Sequence, residues 1–293
     1  MGATAVVSAA GMVFDDRVLV GSPIWFKPFK FSVSLAAYSL SLAWLLAQLP
    51  VGGRAARVGR RAGAVVAASG LVEMVIIVGQ VVRGRRSHFN NATPFDATLF
   101  AVMGVTIIVL WSATLLIAVL MLRARLADRA AAWAMRAGVV LALAGSGVGF
   151  LMTQPTPGQV RGESDVVGAH SVGVPDGGPS MPLTGWSAVG GDLRIPHFFG
   201  MHALQLLPLL VIALPLLARR VPRLRSERVR SRLVVLASLT YAAFFALLVQ
   251  QALRGQALLR PDATTLTEAG LILAATGAGA WGILRTEKKG MAS

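Results

Sequence analysis

Apolar residues in this chain fall into seven long runs, at positions 31–49, 62–82, 97–122, 130–153, 197–218, 233–253 and 265–284. Each is close to the roughly 20 residues that an α-helix needs to cross the hydrocarbon core of a bilayer. None shows the sustained alternation of a half-buried strand. The pattern predicts an all-α fold, a polytopic membrane helix bundle of about seven transmembrane helices forming a single integral membrane domain over residues 1–293. Connections between runs are short except for 154–196, whose Gly, Pro, Ser and Asp content predicts a long extracytoplasmic loop. Residues 1–21 lack a basic leader and an obvious cleavage site, and read as an interfacial segment rather than a signal peptide. No internal repeat supports an inverted-repeat transporter plan.

Composition agrees with the pattern. The chain is 55% hydrophobic and 14% charged, against about 25% charged in an ordinary soluble domain. A net charge of +15 would point to nucleic acid in a soluble protein. Here the basic residues lie in short blocks between apolar runs, so the expected partner is the lipid bilayer and no nucleic acid. Alternate connections hold Arg54, Arg57, Arg60 and Arg61, then Arg123, Arg125 and Arg129, then seven arginines from Arg219 to Arg232, then Arg285, Lys288 and Lys289. These 17 basic residues face 10 on the opposite set, which is much longer. The asymmetry predicts an N-terminus outside and a C-terminus in the cytoplasm. Lysine is scarce beside arginine and alanine is abundant, as in proteins from GC-rich bacterial genomes, so the expected location is a cell (inner) membrane. The absence of cysteine excludes disulfides, thiolate ligands and a cysteine nucleophile.

Polar side chains inside apolar runs are the candidates for chemistry, because lipid tolerates them only where they face protein or water. The fifth run opens as "IPHFFGMHALQLLPLL", with His197, His202 and Gln205 in its first turns and Pro208 within it. His197 and His202 diverge by about 140° around a helix and make a poor bidentate metal pair, whereas His202 and Gln205 share a face. Pro208 is expected to free the carbonyl near Leu204 and to kink the helix. In the second run Ser69, Glu73, Gln80 and Arg83 stack on one face. A carboxylate at the depth of Glu73 must be protonated, paired or bound to a cation.

Three flanking segments add candidates. "RGRRSHFNNATPFD" carries Arg83, Arg86, His88 and Asn90 and is basic against the orientation rule, which suits an anion or polar headgroup. "GGDLRIPHFF" places Asp192 and Arg194 directly before the fifth helix, with Gly190 and Gly191 allowing a sharp turn over its mouth. "PIWFKPFKF" alternates aromatic residues with Lys27 and Lys30. It reads as an interfacial aromatic belt with snorkelling lysines, the alternative being a lysine turned inward toward an anionic ligand. The sixth run ends in Gln251 and Arg254.

Several motifs resolve to packing. "GAGAWG" has dinucleotide-fingerprint spacing but no preceding strand, and Gly270, Ala274, Ala278 and Gly282 are predicted to form a packing stripe. Gly145–Phe150 offers a second small-residue surface, and Ser146 has no histidine beside it to make a nucleophile. Thr265 and Glu268 are expected to form a capping box. The seventh run has no lysine for a retinal Schiff base.

With the predicted orientation applied, the embedded polar residues converge on the outer half of the bundle, with Glu73 at the floor of a pocket and a drier inner half. Glu73, Gln80, Arg83, Arg86, His88, Asn90, Asp192, Arg194, His197, His202, Gln205, Gln251 and Arg254 form the predicted ligand-binding set. The favoured function is binding or transport of a small anionic or polar-headed ligand on Arg83, Arg86 and Arg254. The alternatives are a membrane-embedded enzyme, metal-dependent or acid–base, using Glu73 and His202 with His88 or His197, and a haem-binding redox protein. No motif identifies a cofactor.

Overall fold

The computed structural model describes residues 1–286 except 51, 127 and 162–164. Lys288 and Lys289, which contribute to the charge asymmetry, lie outside the described residues. In chain order the elements are α1 (Gly2–Phe14), β1 (Val18–Leu19), β2 (Ser22–Pro23), α2 (Phe26–Ala47), α3 (Arg54–Val82), α4 (Pro94–Arg123) and α5 (Arg129–Met152). They continue as α6 (Pro157–Val160), β3 (Ser171–Val172), β4 (Gly191–Asp192), α7 (Arg194–Leu217), α8 (Glu227–Leu253) and α9 (Ala263–Thr286).

Seven of these helices, α2–α5 and α7–α9, are long and apolar enough to cross a membrane, and each contains one of the seven apolar runs or most of it. Such a set suggests a membrane protein. Several helices begin well before their runs: α3 starts at Arg54 rather than 62 and α8 at Glu227 rather than 233. Arginine-bearing turns are good helix formers, so the helix continues past the point where its surface stops being apolar.

Caps define most of the starts. Thr93 accepts from the Asp96 backbone N–H at 3.1 Å and donates to the Asp96 carboxylate at 2.8 Å, with Pro94 in the first turn of α4. Asp128 caps α5 by accepting from Ala131 N–H at 2.9 Å. At α9 the cap is Asp262, which accepts from Thr265 N–H at 2.9 Å. The expected Thr265/Glu268 capping box is therefore corrected: an aspartate three residues earlier takes the free donor. Thr265 instead bonds Gln256, and Glu268 accepts from Gln250.

The bundle has two main cores. One joins α2, α3, α4, α5 and α7 through residues such as Leu42, Leu45, Ile117, Met121 and Val139. The other joins α5, α7 and α8 through Ala134, Ala203, Leu207 and Val234. The closest helix pair is α5 and α7, which meet at glycine: a Cβ on Gly145 would stand 2.7 Å from Gly200 Cα. The small-residue surface expected at Gly145 is thus a true crossing point. The stripe expected on α9 is not. Nothing lies within 4 Å of a Cβ at Gly270 or Gly282, and the packed face of α9 carries Thr276 and Gly279 toward Thr240 and Leu236 of α8. Small-residue spacing recurs on both faces of this alanine- and glycine-rich helix, so spacing alone did not choose between them. Despite Pro208 and Pro215, α7 is one continuous helix.

The long loop folds back over the end of the bundle. Ser171 pairs with Asp192 and Val172 with Gly191 in the β3–β4 ladder, and Asn90 bridges to Val166. Gly190 closes a bend and Gly191 opens β4; both are pressed against neighbouring backbone or side chains, and a Cβ on Gly191 would overlap the Ala252 carbonyl at the C-terminal end of α8. Helix α1 lies beside α2, with Trp25 Nε1 donating to Asp15 at 2.7 Å.

Candidate functional site

Beneath the folded loop lies a cavity of about 170 Å³. Lys27 and Lys30 reach it from the first turns of α2, Arg85, Arg86 and His88 from the α3–α4 connection, and Arg194 from the start of α7. His170 and Asp176 enter from the loop, and Ile77 and Val81 form the α3 wall. Five cationic side chains thus line a space in which Asp176 is the one lining carboxylate among the described residues.

Each cation is placed by local structure. Lys27 and Lys30, three residues apart on a helix, face the same way. Lys30 donates to the Thr184 carbonyl at 2.9 Å and sits 4.2 Å from the Phe26 ring centroid. Lys27 lies 5.8 Å from the Phe31 ring centroid and within electrostatic range of Glu73, Lys30, Arg86 and Arg194. Arg194 is aimed by Asp192, whose side chain is 0% exposed and accepts from Arg194 at 2.6 Å and from Ser187 N–H at 2.7 Å. The same guanidinium donates to the Gly185 carbonyl at 2.7 Å. Asp192 therefore acts as a positioning residue beneath Arg194. The side chains of Lys27 and Arg86 make no hydrogen bond among the described residues, so both charges are available to a ligand.

Both histidines of the connecting segments are shifted toward the neutral form. Burial pushes the His88 imidazole well below its ordinary range, and the nearby Lys27 charge adds to the effect. Burial likewise lowers His170, more than its bond to Asp176 at 2.9 Å raises it. Burial pushes the Asp176 carboxyl up, but bonds from His170 and from the His170 and Ser171 backbone N–H groups hold it well below the usual carboxylate range.

Glu73 sits one turn deeper on α3 than Ile77. It is 1% exposed, and neither carboxylate oxygen has a hydrogen-bond partner among the described residues. Its neighbour in charge is Lys27.

The remaining predicted residues divide into three groups. Gln80, Arg83 and Asn90 form a structural network: Arg83 pairs with Asp96 at 2.7 Å, Gln80 donates to Asp96 at 2.8 Å, and Gln80 and Asn90 both donate to the Arg86 carbonyl. Gln251 donates to the Ala257 carbonyl at 3.1 Å, and Arg254 pairs with Asp262, which ties the α8–α9 connection together. His197 donates to the Gly145 carbonyl at 2.8 Å in the α5–α7 crossing. Exposed His202 meets Gln205 at 3.3 Å, and the Gln205 amide lies 2.9 Å from Ser41 Oγ of α2. These residues do not line the cavity. His202 instead lines a separate apolar groove.

Of the predicted set, then, the structure gathers Arg86, His88 and Arg194 at one cavity, with Asp192 behind Arg194 and Glu73 deeper on the α3 side. Sequence reasoning missed Arg85, His170 and Asp176, and weighed Lys27 and Lys30 chiefly as membrane anchors. The usable signal was the lysine pair itself, which stands apart in a chain whose other basic residues are nearly all arginine. Among the described residues no cluster of three or more His, Asp or Glu side chains could hold a metal ion.

Seven apolar helices and a polar cavity under a folded loop suggest a multi-pass membrane protein with an internal site. No protein-family model, curated protein or solved structure matches the chain.

Proposed function

We propose that this chain is a multi-pass protein of a bacterial cell membrane that binds or transports a small anionic ligand in the cavity beneath its long loop. The observation that carries the reading is the convergence of Lys27, Lys30, Arg85, Arg86 and Arg194 on a space with Asp176 as its one carboxylate among the described residues. Cations brought together at this density repel one another, and a bound anion offsets that cost in charge-assisted hydrogen bonds. The charge asymmetry of the connections supports an outside cavity and a cytoplasmic C-terminus. Lys27, Arg86 and Arg194 line the cavity, whereas Arg83 and Arg254 lie outside it, paired with Asp96 and Asp262.

The test is a titration of the protein, purified in a neutral mild detergent, with phosphatidylglycerol, with glycerophosphate and with zwitterionic phosphatidylcholine, followed by native mass spectrometry. At least one anionic probe binds, more weakly as salt is raised, and Lys27→Gln and Arg86→Gln each weaken it by about tenfold or more. Binding of no anionic probe, or equal affinity in wild type and both variants, sinks the proposal.

A further inference from the structure

On the outer side of α2 and α7 lies a second depression, an apolar groove of about 570 Å³. Its walls are Phe29 and Val33 of α2, Ile195 and Leu206 of α7, and Leu248 of α8, with Trp186 and Leu183 of the loop at its mouth. Its size falls within the range of about 300–1,000 Å³ typical of small-molecule sites. The polar groups on it are few, and the Tyr241 hydroxyl is already committed, donating to the Phe199 carbonyl at 2.5 Å. Its other polar lining residues are Lys30, Ser34, Thr184 and His202.

Two features make it more than an unpartnered apolar face. First, it adjoins the cationic cavity: Lys30 and Phe198 line both, so one ligand reaching past them can occupy the two together. Second, its length suits one kind of occupant. From Ile195 to Leu206 the groove follows α7 for eleven rises, about 16 Å. One leaflet of a bilayer's hydrocarbon core is about 15 Å deep. The cavity lies at the loop end of the helices, where headgroups reside, and the groove runs from there along the spans toward the bundle middle. Leu206 and Val33, each about half exposed, leave it open sideways.

We propose that the ligand of this protein is an anionic lipid, its headgroup on Lys27, Lys30, Arg86 and Arg194 and an acyl chain in the α2–α7 groove. This rests on the anion-binding reading of the cavity and names the class of molecule. Lys30 is the hinge of the arrangement: its ammonium faces the headgroup while its aliphatic stem and Phe198 form the partition along which the chain leaves. Entry is lateral from the leaflet, so the molecule need not pass through the loop.

The experiment compares phosphatidylglycerol with its water-soluble headgroup, glycerophosphate, on full-length protein in detergent. The variants Leu206→Trp and Val33→Trp fill the groove from a half-exposed, lipid-facing position without touching the cationic cavity. Phosphatidylglycerol binds more tightly than glycerophosphate, because its acyl chain adds packing contacts along the groove that the headgroup alone lacks. Both tryptophan variants weaken phosphatidylglycerol by about tenfold or more and leave glycerophosphate unchanged. If glycerophosphate binds as tightly as the lipid, or if neither variant affects the lipid, the lipid assignment is overturned while the anion site stands. If neither probe binds to wild type, both fall.

Discussion

At the scale of single residues, the most telling group is Glu73. A carboxyl with no hydrogen-bond partner in an apolar interior is costly, and the cost is far greater for the charged form. Glu73→Gln removes the charge while keeping the shape, so its apparent unfolding temperature in detergent is expected to equal or exceed that of wild type. A clear fall would mean that the carboxylate has a structural partner. Asp96 is the opposite case. Its buried carboxylate accepts from Gln80, Arg83 and Thr93 Oγ1, while its backbone N–H donates to Thr93 Oγ1. Asp96→Ala removes the shared acceptor of Gln80, Arg83 and Thr93 Oγ1 and is expected to cost about 1–3 kcal/mol. Denaturant or thermal titration of the two variants together checks the contrast. Glu73 was visible in the sequence as an embedded acid, whereas Asp96 fell in the connection before the third run. Nothing in the sequence said which had partners, because the Gln80–Arg83–Asp96 network closes only when α3 and α4 stand side by side.

Between elements, the α5–α7 crossing sets the geometry of the site, since α7 carries Arg194 at its first residue and His197 one turn on. The approach depends on Gly145 and Gly200 having no side chains. Gly145→Val therefore forces the helices apart and is expected to destabilise by about 1–3 kcal/mol or to prevent folding. Two residues along the same helix, a Cβ at Gly147 meets nothing within 4 Å, and Gly147→Ala is expected to be neutral or to stabilise by about 0.5–1 kcal/mol. Equal effects from the two substitutions would argue against the crossing. The small-residue motif was legible in the sequence around Gly145, and equally so on α9, where it faces outward. Spacing finds a surface that permits close approach, and only the partner's position decides whether approach occurs.

For the whole molecule, two outcomes follow from how the loop caps the bundle. Burial beneath it lowers the pKa of His88 and of His170, whereas an unfolded chain protonates them below about 6.5. The unfolded state then binds more protons, so the histidine contribution to stability is intact above that pH and is lost as pH falls through it. Asp176, held low, adds a loss of the same sign only below about 3.8. Apparent unfolding temperature should thus drop between pH 7.5 and pH 5.5, and His88→Gln should reduce the drop; a flat profile in wild type would contradict the buried placement. Orientation is checked by labelling, which the absence of native cysteine makes clean. In intact cells a membrane-impermeant thiol reagent is expected to modify Ser180→Cys in the loop and not Arg223→Cys between α7 and α8. The reverse pattern would invert the proposed topology.

Sequence alone determined the seven apolar helices, the long loop and which polar residues are embedded among them. Those follow from local rules: the length of a bilayer span, the cost of polar groups in lipid and the composition of turns. Tertiary structure decided which of the polar residues share a space. Arg83, Arg254, Gln80 and Gln251 lie near the same end of the bundle as Arg86 and Arg194, yet they are engaged by neighbours on adjoining elements. Lys27 and Lys30, which pass as headgroup anchors in one dimension, point into the cavity because the folded loop covers the turn that carries them. A helix face can be read from spacing. What lies across from it is set by the packing of segments distant in sequence, and that packing converts a scatter of embedded charges into one cationic cavity.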